Sequence, residues 1–375
     1  MSVARAQYIM IGGFLGAGKT TAVGRLAEHL TERGLRVGLI TNDQSSGLVD
    51  TALLRGSGFA VEEITGGCFC CRFGTLAEAA EKLEADGRPD VILAEPVGSC
   101  TDLVATVSYP LRRMYGERYR IAPLSVLVDP ERARRVLGLV GGRAFSDKVL
   151  YVFRKQLEEA SLIVVNKADT LAAEDRAELV AALEARYPAT PVMAVSAKTG
   201  EGTEAWFGAL MEGEAIAAAT MDVDYELYAE GEALLGWYNA TVRLAMGKPG
   251  SDGTFDANQL LLDWAGSVQA ELRSRNIEIA HCKATLDAGG SLAALSLVST
   301  DGTPDLREAL VDGVAGGELV LNLRAEGSPD ELEAAALGGL DACRAALPGL
   351  TAHVEHQDFF RPSPPVPTHR DAVQS

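Results

Sequence analysis

Apolar residues along this chain gather in short runs, and between the runs they recur at helical spacing. Residues 8–12 form an unbroken run and read as a buried strand. Residues 19–33 follow as an amphipathic helix that Gly34 can end. The alternation continues with strands at 36–41 and 60–64, a helix at 75–85, a strand at 91–94, a helix at 103–115 and a strand at 124–128. Helix 145–160, strand 162–165, helix 174–187, strand 192–195 and helix 203–211 complete the series. Strands alternating with helices on this scale predict an α/β class, with a mostly parallel sheet covered on both faces. Ligands of such sheets sit beyond the carboxyl ends of the strands.

The pattern changes across residues 214–223, which are rich in alanine and short on periodicity. Strands are expected at 233–245, 278–287, 292–299, 318–325 and 351–356, with helices at 258–275 and 330–347 and a short extra segment at 305–312. This β-α-β-β-α-β order suggests a smaller, ferredoxin-like α+β domain. The expected division is therefore 1–215, 225–360 and a proline-rich, extended tail over 361–375.

Composition narrows the function. A length of 375 residues favours two domains. With 47% hydrophobic and 23% charged residues, the chain can bury a full core. A net charge of -18 repels phosphate backbones, so a nucleic-acid partner is not expected. The arginines at 112, 113, 132, 134 and 135 read as a solvated helix face. No stretch of about 18 apolar residues suggests a membrane span, and the first apolar run is too short for a signal peptide. A cytoplasmic protein is expected, in which six cysteines do not form a disulfide framework.

The segment Gly13-Phe-Leu-Gly16-Ala17-Gly18-Lys19-Thr20-Thr21 matches G-x-x-x-x-G-K-[ST] between a strand and a helix, the setting of a P-loop NTPase. Its amides can wrap phosphates at the positive end of the helix, while Lys19 reaches the β- and γ-phosphates and Thr20 ligates Mg²⁺. Asn166-Lys167-Ala-Asp169 stands at the end of the strand at 162–165, and Ser196-Ala197-Lys198 ends the next strand. An aspartate at 169 can accept two hydrogen bonds from guanine N1 and its amine, a donor pair adenine lacks. GTP and GDP are therefore the expected nucleotides. Glu95 opens Glu95-Pro-Val-Gly98, where a carboxylate can hold Mg²⁺ through a water and the Gly98 amide can approach the γ-phosphate. A helix-capping acid is the other reading of Glu95. Asp43 starts a segment where a switch loop would begin, near Mg²⁺ or as a plain turn. Asp129-Pro130 is explained by an N-cap alone.

Cys68-Phe-Cys70-Cys71 crowds three thiols after the strand at 60–64. Thiolates favour Zn²⁺, Co²⁺ and related ions, Ni²⁺ among them. Adjacent cysteines are strained as ligands of one ion, so two motif thiolates per metal are expected, Cys68 being one. An incomplete site suits an ion that is passed on, since a structural zinc is normally enclosed by four ligands. A redox thiol set and simple buried cysteines are the competing readings. Cys100 reads as a small buried residue or a further thiolate. His353 and His356, three apart in a strand, should point to opposite faces.

The P-loop, the Cys-x-Cys-Cys motif, Glu95-x-x-Gly98 and Asn166-Lys-x-Asp169, in that order, resemble the CobW-like metallochaperone GTPases, relatives of the nickel-insertion GTPases of urease and hydrogenase. The resemblance covers residues 8–211. It implies Mg²⁺ and GTP binding, slow GTP hydrolysis, and a metal at Cys68, Cys70 or Cys71 whose affinity depends on the nucleotide. It also implies a client metalloprotein or cofactor-biosynthesis enzyme, and a homodimer paired across the nucleotide. Two departures stand out. Asn42-Asp43-Gln44-Ser45 replaces the Asn-Glu-Phe-Gly of many members, and their histidine-rich storage stretch is missing. Rival readings are a GTPase gating a corrinoid or other cofactor enzyme with structural cysteines, a small-molecule P-loop kinase, and a zinc scaffold.

Overall fold

A computed structural model describes residues 5–42, 58–213, 220–247 and 253–371. They fall into two compact units, divided at Ala229/Glu230, with the chain from Pro364 returning to the first.

In the first unit β1 (Ala6–Gly13), α1 (Lys19–Glu32), β2 (Val37–Asn42), β3 (Ala60–Ile64), α2 (Phe73–Gly87) and β4 (Val91–Glu95) come first. A five-residue π-helical turn (Val104–Ser108) then runs into α3 (Tyr109–Tyr115), so the single helix expected at 103–115 begins with a widened turn. β5 (Tyr119–Ile121), β6 (Ser125–Val128), α4 (Pro130–Val136), α5 (Asp147–Glu159), β7 (Leu162–Val165), α6 (Ala173–Arg186), β8 (Val192–Ala194), α7 (Thr203–Glu212) and α8 (Tyr225–Leu234) follow. The sheet order is β3-β2-β4-β1-β6-β7-β8, with β5 beside the start of β1. All described pairs are parallel. The central strands β4 and β7 are buried along their whole length, which is why they read as unbroken apolar runs. Helix α1 turns Ala22, Val23, Leu26, Ala27 and Leu30 onto the sheet. These parallel strands and covering helices form the α/β P-loop architecture. Among the described residues no helix is long and apolar enough to cross a membrane.

The second unit holds β9 (Gly236–Met246), α9 (Ala257–Ser274), β10 (Ile279–Asp287), β11 (Leu292–Leu297), β12 (Asp305–Glu308), β13 (Gly316–Ala325), α10 (Pro329–Ala346) and β14 (Leu350–Phe360). Its antiparallel sheet has the order β12-β11-β10-β13-β9-β14. Strands β9, β10, β13 and β14 plus two helices give a ferredoxin-like α+β unit, in which β13 is the third strand and the β11–β12 hairpin extends the sheet beyond β10. Both helices pack on one face, where Trp264 of α9 donates its indole N–H to the Ala336 carbonyl of α10 at 3.0 Å.

Two expectations fail here. Residues 233–234 close α8 instead of opening a strand, because the apolar Ala233-Leu-Leu235 run carries no period of its own. The register of β14 against β9 shifts between Val354 and His356, and the bulge brings His353 and His356 to the same exposed face.

Candidate functional site

The carboxyl ends of the parallel strands carry the site. After β1 the chain turns through Gly13, Gly16 and Gly18 with φ of +129°, +80° and +86°. Each is a left-handed conformation that costs glycine nothing. A Cβ on Gly18 would stand 2.5 Å from the Asn166 amide nitrogen, and one on Gly13 would meet the Leu127 carbonyl oxygen at 2.3 Å. Lys19 is buried and donates to the Gly13 carbonyl at 2.9 Å. Thr20 donates its hydroxyl to Glu95 Oε1 at 2.9 Å, joining the start of α1 to the end of β4. Ala17 is buried and Thr21 half-buried in the same turn. Gly98 lies against this loop, since a Cβ there would meet the Leu15 amide nitrogen at 2.9 Å. Asp43 lies outside the described residues.

On the other side of β1, Asn166 binds two loops at once. Its amide donates to the Ala17 carbonyl at 2.9 Å, and its Oδ1 accepts from the Ala197 N–H at 3.0 Å. Lys167, at φ +56°, donates to the Gly16 carbonyl and to Asp129 Oδ2, both at 2.8 Å. Asp169 is exposed in the short 3₁₀ turn that follows. Ser196 is buried and its hydroxyl accepts from the Thr199 N–H at 3.0 Å, closing the loop that carries Ala197 and Lys198. Arg25 of α1 donates to the carbonyls of Ala197 at 2.5 Å and Lys198 at 2.8 Å. The phosphate loop and the two base loops are thus one hydrogen-bonded body.

The thiols hang from β3, at the sheet edge. Gly66 and Gly67, at φ +72° and +152°, swing the chain out of the strand. Asn42, at the end of β2, donates to the carbonyls of Ile64 (3.0 Å) and Gly67 (2.7 Å) and fixes the turn. Cys71 N–H and Arg72 N–H both donate to the Cys68 carbonyl, at 3.1 and 2.9 Å. That turn folds the neighbouring cysteines inward, contrary to the expected strain. The sulfurs stand 3.0 Å (Cys68–Cys70), 3.2 Å (Cys68–Cys71) and 3.7 Å (Cys70–Cys71) apart. One tetrahedral ion with bonds of about 2.3 Å needs sulfurs about 3.8 Å apart, so all three can reach one ion. The three ligand atoms form a metal-competent group by proximity alone. Strand β3 is three places from β1, which puts the two loops about 14 Å apart along one rim of the sheet.

Residues 7–193 match the family described as CobW/HypB/UreG, nucleotide-binding domain. The first unit is a CobW/HypB/UreG nucleotide-binding domain. Among curated proteins the chain is similar to zinc chaperone YeiR of Escherichia coli, at 30% identity over 173 residues, 45% of this chain and 49% of the relative. It is also similar to zinc chaperone CobW of Pseudomonas aeruginosa, at 26% identity over 225 residues, 53% of this chain and 58% of the relative. The chain thus spans about half the length of the curated relatives it matches. Among solved structures, HypB from Helicobacter pylori in complex with nickel overlaps 57% of this chain and 91% of its own, at 18% identity and a TM-score of 0.42.

Within this CobW/HypB/UreG domain the thiols are unequal. Cys68 shares hydrogen bonds with the thiols of Cys100, Cys70 and Cys71, and these hold its ionisation below the ordinary thiol range. Cys70 is pushed well above that range and Cys71 up to about 11, each first by its bond to Cys68. Cys68 is therefore the most readily ionised of the three thiols. Cys100 is buried and its thiol bears on Cys68, while the ligand atoms close enough to share one ion are those of Cys68, Cys70 and Cys71. Gln156 of α5 holds that stretch, donating to the carbonyls of Gly98 (2.9 Å) and Cys100 (2.8 Å).

Other contributors escape the sequence reading. Asp129 does cap α4 through the Arg132 N–H at 3.0 Å, but it also pairs with Lys167. Burial raises the Asp129 carboxyl, yet Lys167 and Arg132 outweigh it and hold the group below its ordinary value. Arg132, expected on a solvated face, is buried; it donates to the Leu15 carbonyl and lies 5.1 Å over both the Phe14 and Phe145 rings. These are contacts between distant strand ends. An aspartate at the end of the strand 124–128 is the signal the sequence carries.

Proposed function

We propose that this chain is a GTP-hydrolysing metallochaperone of the cytoplasm that takes a zinc ion onto Cys68, Cys70 and Cys71 and releases it to a client protein. Its phosphate loop, with Lys19, Thr20 and Thr21, receives the phosphates, and Asp169 selects guanine. The Thr20 hydroxyl and the Glu95 carboxylate, already in contact, are an oxygen donor pair suited to Mg²⁺. Bound there, Mg²⁺ would neutralise charge developing on the γ-phosphate. Zinc as cargo is favoured by the three-thiol donor set and by the zinc-chaperone relatives; Co²⁺ and Ni²⁺ are the competitors to titrate beside it.

One observation carries the reading. The segment from Glu95 to Cys100 touches the phosphate loop at one end, through Thr20 and Leu15, and the thiol cluster at the other, through Cys68. Loss of the γ-phosphate can therefore be felt at the sulfurs through six residues of chain. Titration of the reduced, anaerobic protein with Zn²⁺ should give tighter binding with a GTP analogue than with GDP, and ADP should behave as no nucleotide. Equal zinc affinity with the GTP analogue and GDP would overturn the coupling.

A further inference from the structure

The structure assigns a part in the thiol site to the far end of the chain: we propose that residues 366–371 form a strap over the cysteine loop that sets how fast the cargo ion leaves. The chain passes Pro364 and Pro365, of which Pro365 is buried, and lays Val366-Pro-Thr368 along Cys70 and Cys71. Thr368 N–H donates to the Cys70 carbonyl at 2.9 Å, and its hydroxyl donates to the Cys71 carbonyl at 3.0 Å. Val366 N–H points at the Cys71 sulfur, 3.3 Å away. The His369 ring meets Phe73 edge-on at 5.1 Å. Beyond it the strap is latched. Arg370 Nε donates to Asp102 Oδ2 at 2.7 Å, with the Asp102 side chain 2% exposed, and Asp371 pairs with Arg113 at 2.7 Å. Asp371 N–H closes the run on the Ala105 carbonyl.

Three features make this a working part of the site. Cys71 is the one thiol of the motif that is not fully buried, and the strap lies on it. An N–H aimed at a ligating sulfur stabilises its thiolate and the bond it makes to a metal, as outer hydrogen bonds do around other metal ligands. Prolines at 364, 365 and 367 hold the segment extended before it docks, so ordering it costs little entropy. The Val366 side chain is 73% exposed, so the residue serves the site through its backbone.

The inference rests on the cargo reading above, and the test separates the two. In the full chain, Val366→Pro with Thr368→Pro removes all three strap donors, while Val366→Ala keeps them. Zinc transfer from the loaded protein to a chromophoric chelator should be about tenfold faster in the double variant and unchanged in Val366→Ala. Labelling of the metal-free, reduced protein with a disulfide reagent should accelerate at Cys71 in the double variant. GDP affinity, read at the other end of the rim, should stay constant and reports folding. If GDP binding is lost, Arg370→Ala, which releases the latch at Asp102, takes the double variant's place. Unchanged zinc release and unchanged labelling overturn the strap. If the unaltered chain binds no zinc, the cargo reading falls, and the labelling rates alone decide the strap.

Discussion

Asn166 divides its amide between two loops, giving an N–H to Ala17 and accepting one from Ala197, in a site that is 1% exposed. Truncation removes both bonds and leaves a buried carbonyl and a buried N–H facing a gap, which costs roughly 2–4 kcal/mol. Asn166→Ala should lower the urea midpoint accordingly and weaken GDP binding, because the base loop loses its tie to the phosphate loop. By contrast, the exposed pair Arg176–Glu201 should contribute less than about 1 kcal/mol. Lys167 is held at positive φ beside it, a strained position for a lysine, and Asp129 and Gly16 are the groups that hold it there.

At the scale of elements, the end of α5 governs the segment that links phosphate to sulfur. Glu159 accepts from Val104 N–H and the Thr101 hydroxyl, each at 3.1 Å. Burial nevertheless dominates and pushes its carboxyl up to about 8. The folded value lies above that of an unfolded glutamate. The contribution to stability is therefore complete below the unfolded value and is lost as pH rises through about 8. Melting temperature should fall between about pH 4.5 and pH 8 and level off above that, and Glu159→Gln, neutral throughout, should flatten that fall; parallel curves for the two proteins would exclude Glu159 as the cause. None of this was legible in the sequence, and the reason is general. The glycine turn, the Asn166–Asp169 loop and the crowding of Cys68, Cys70 and Cys71 are local spacings on a strand-helix alternation, which survive in a linear reading. The partners of Asp129, Arg132, Glu159 and Cys100, and the docking of Thr368, are pairings across the fold with no period to announce them. The bulge in β14 similarly turns on one extra residue, which no alternation rule anticipates.

For the molecule as a whole, the cysteine cluster fixes a proton balance. With the Cys68 thiol held below the ordinary range and those of Cys70 and Cys71 above it, taking up one ion on all three sulfurs should expel about two protons near neutral pH. Zinc affinity should then drop about a hundredfold for each pH unit lost around neutrality, measured by chelator competition; a slope of one or less would mean that a motif thiol stays off the ion. The Gln156 amide bears on how such a change travels. By gripping the carbonyls of Gly98 and Cys100 together from a separate helix, it removes slack from the stretch between them. A tether that cannot stretch or bow passes a small displacement on at full size, so a shift of a few tenths of an ångström at the nucleotide end should arrive undiminished among the sulfurs.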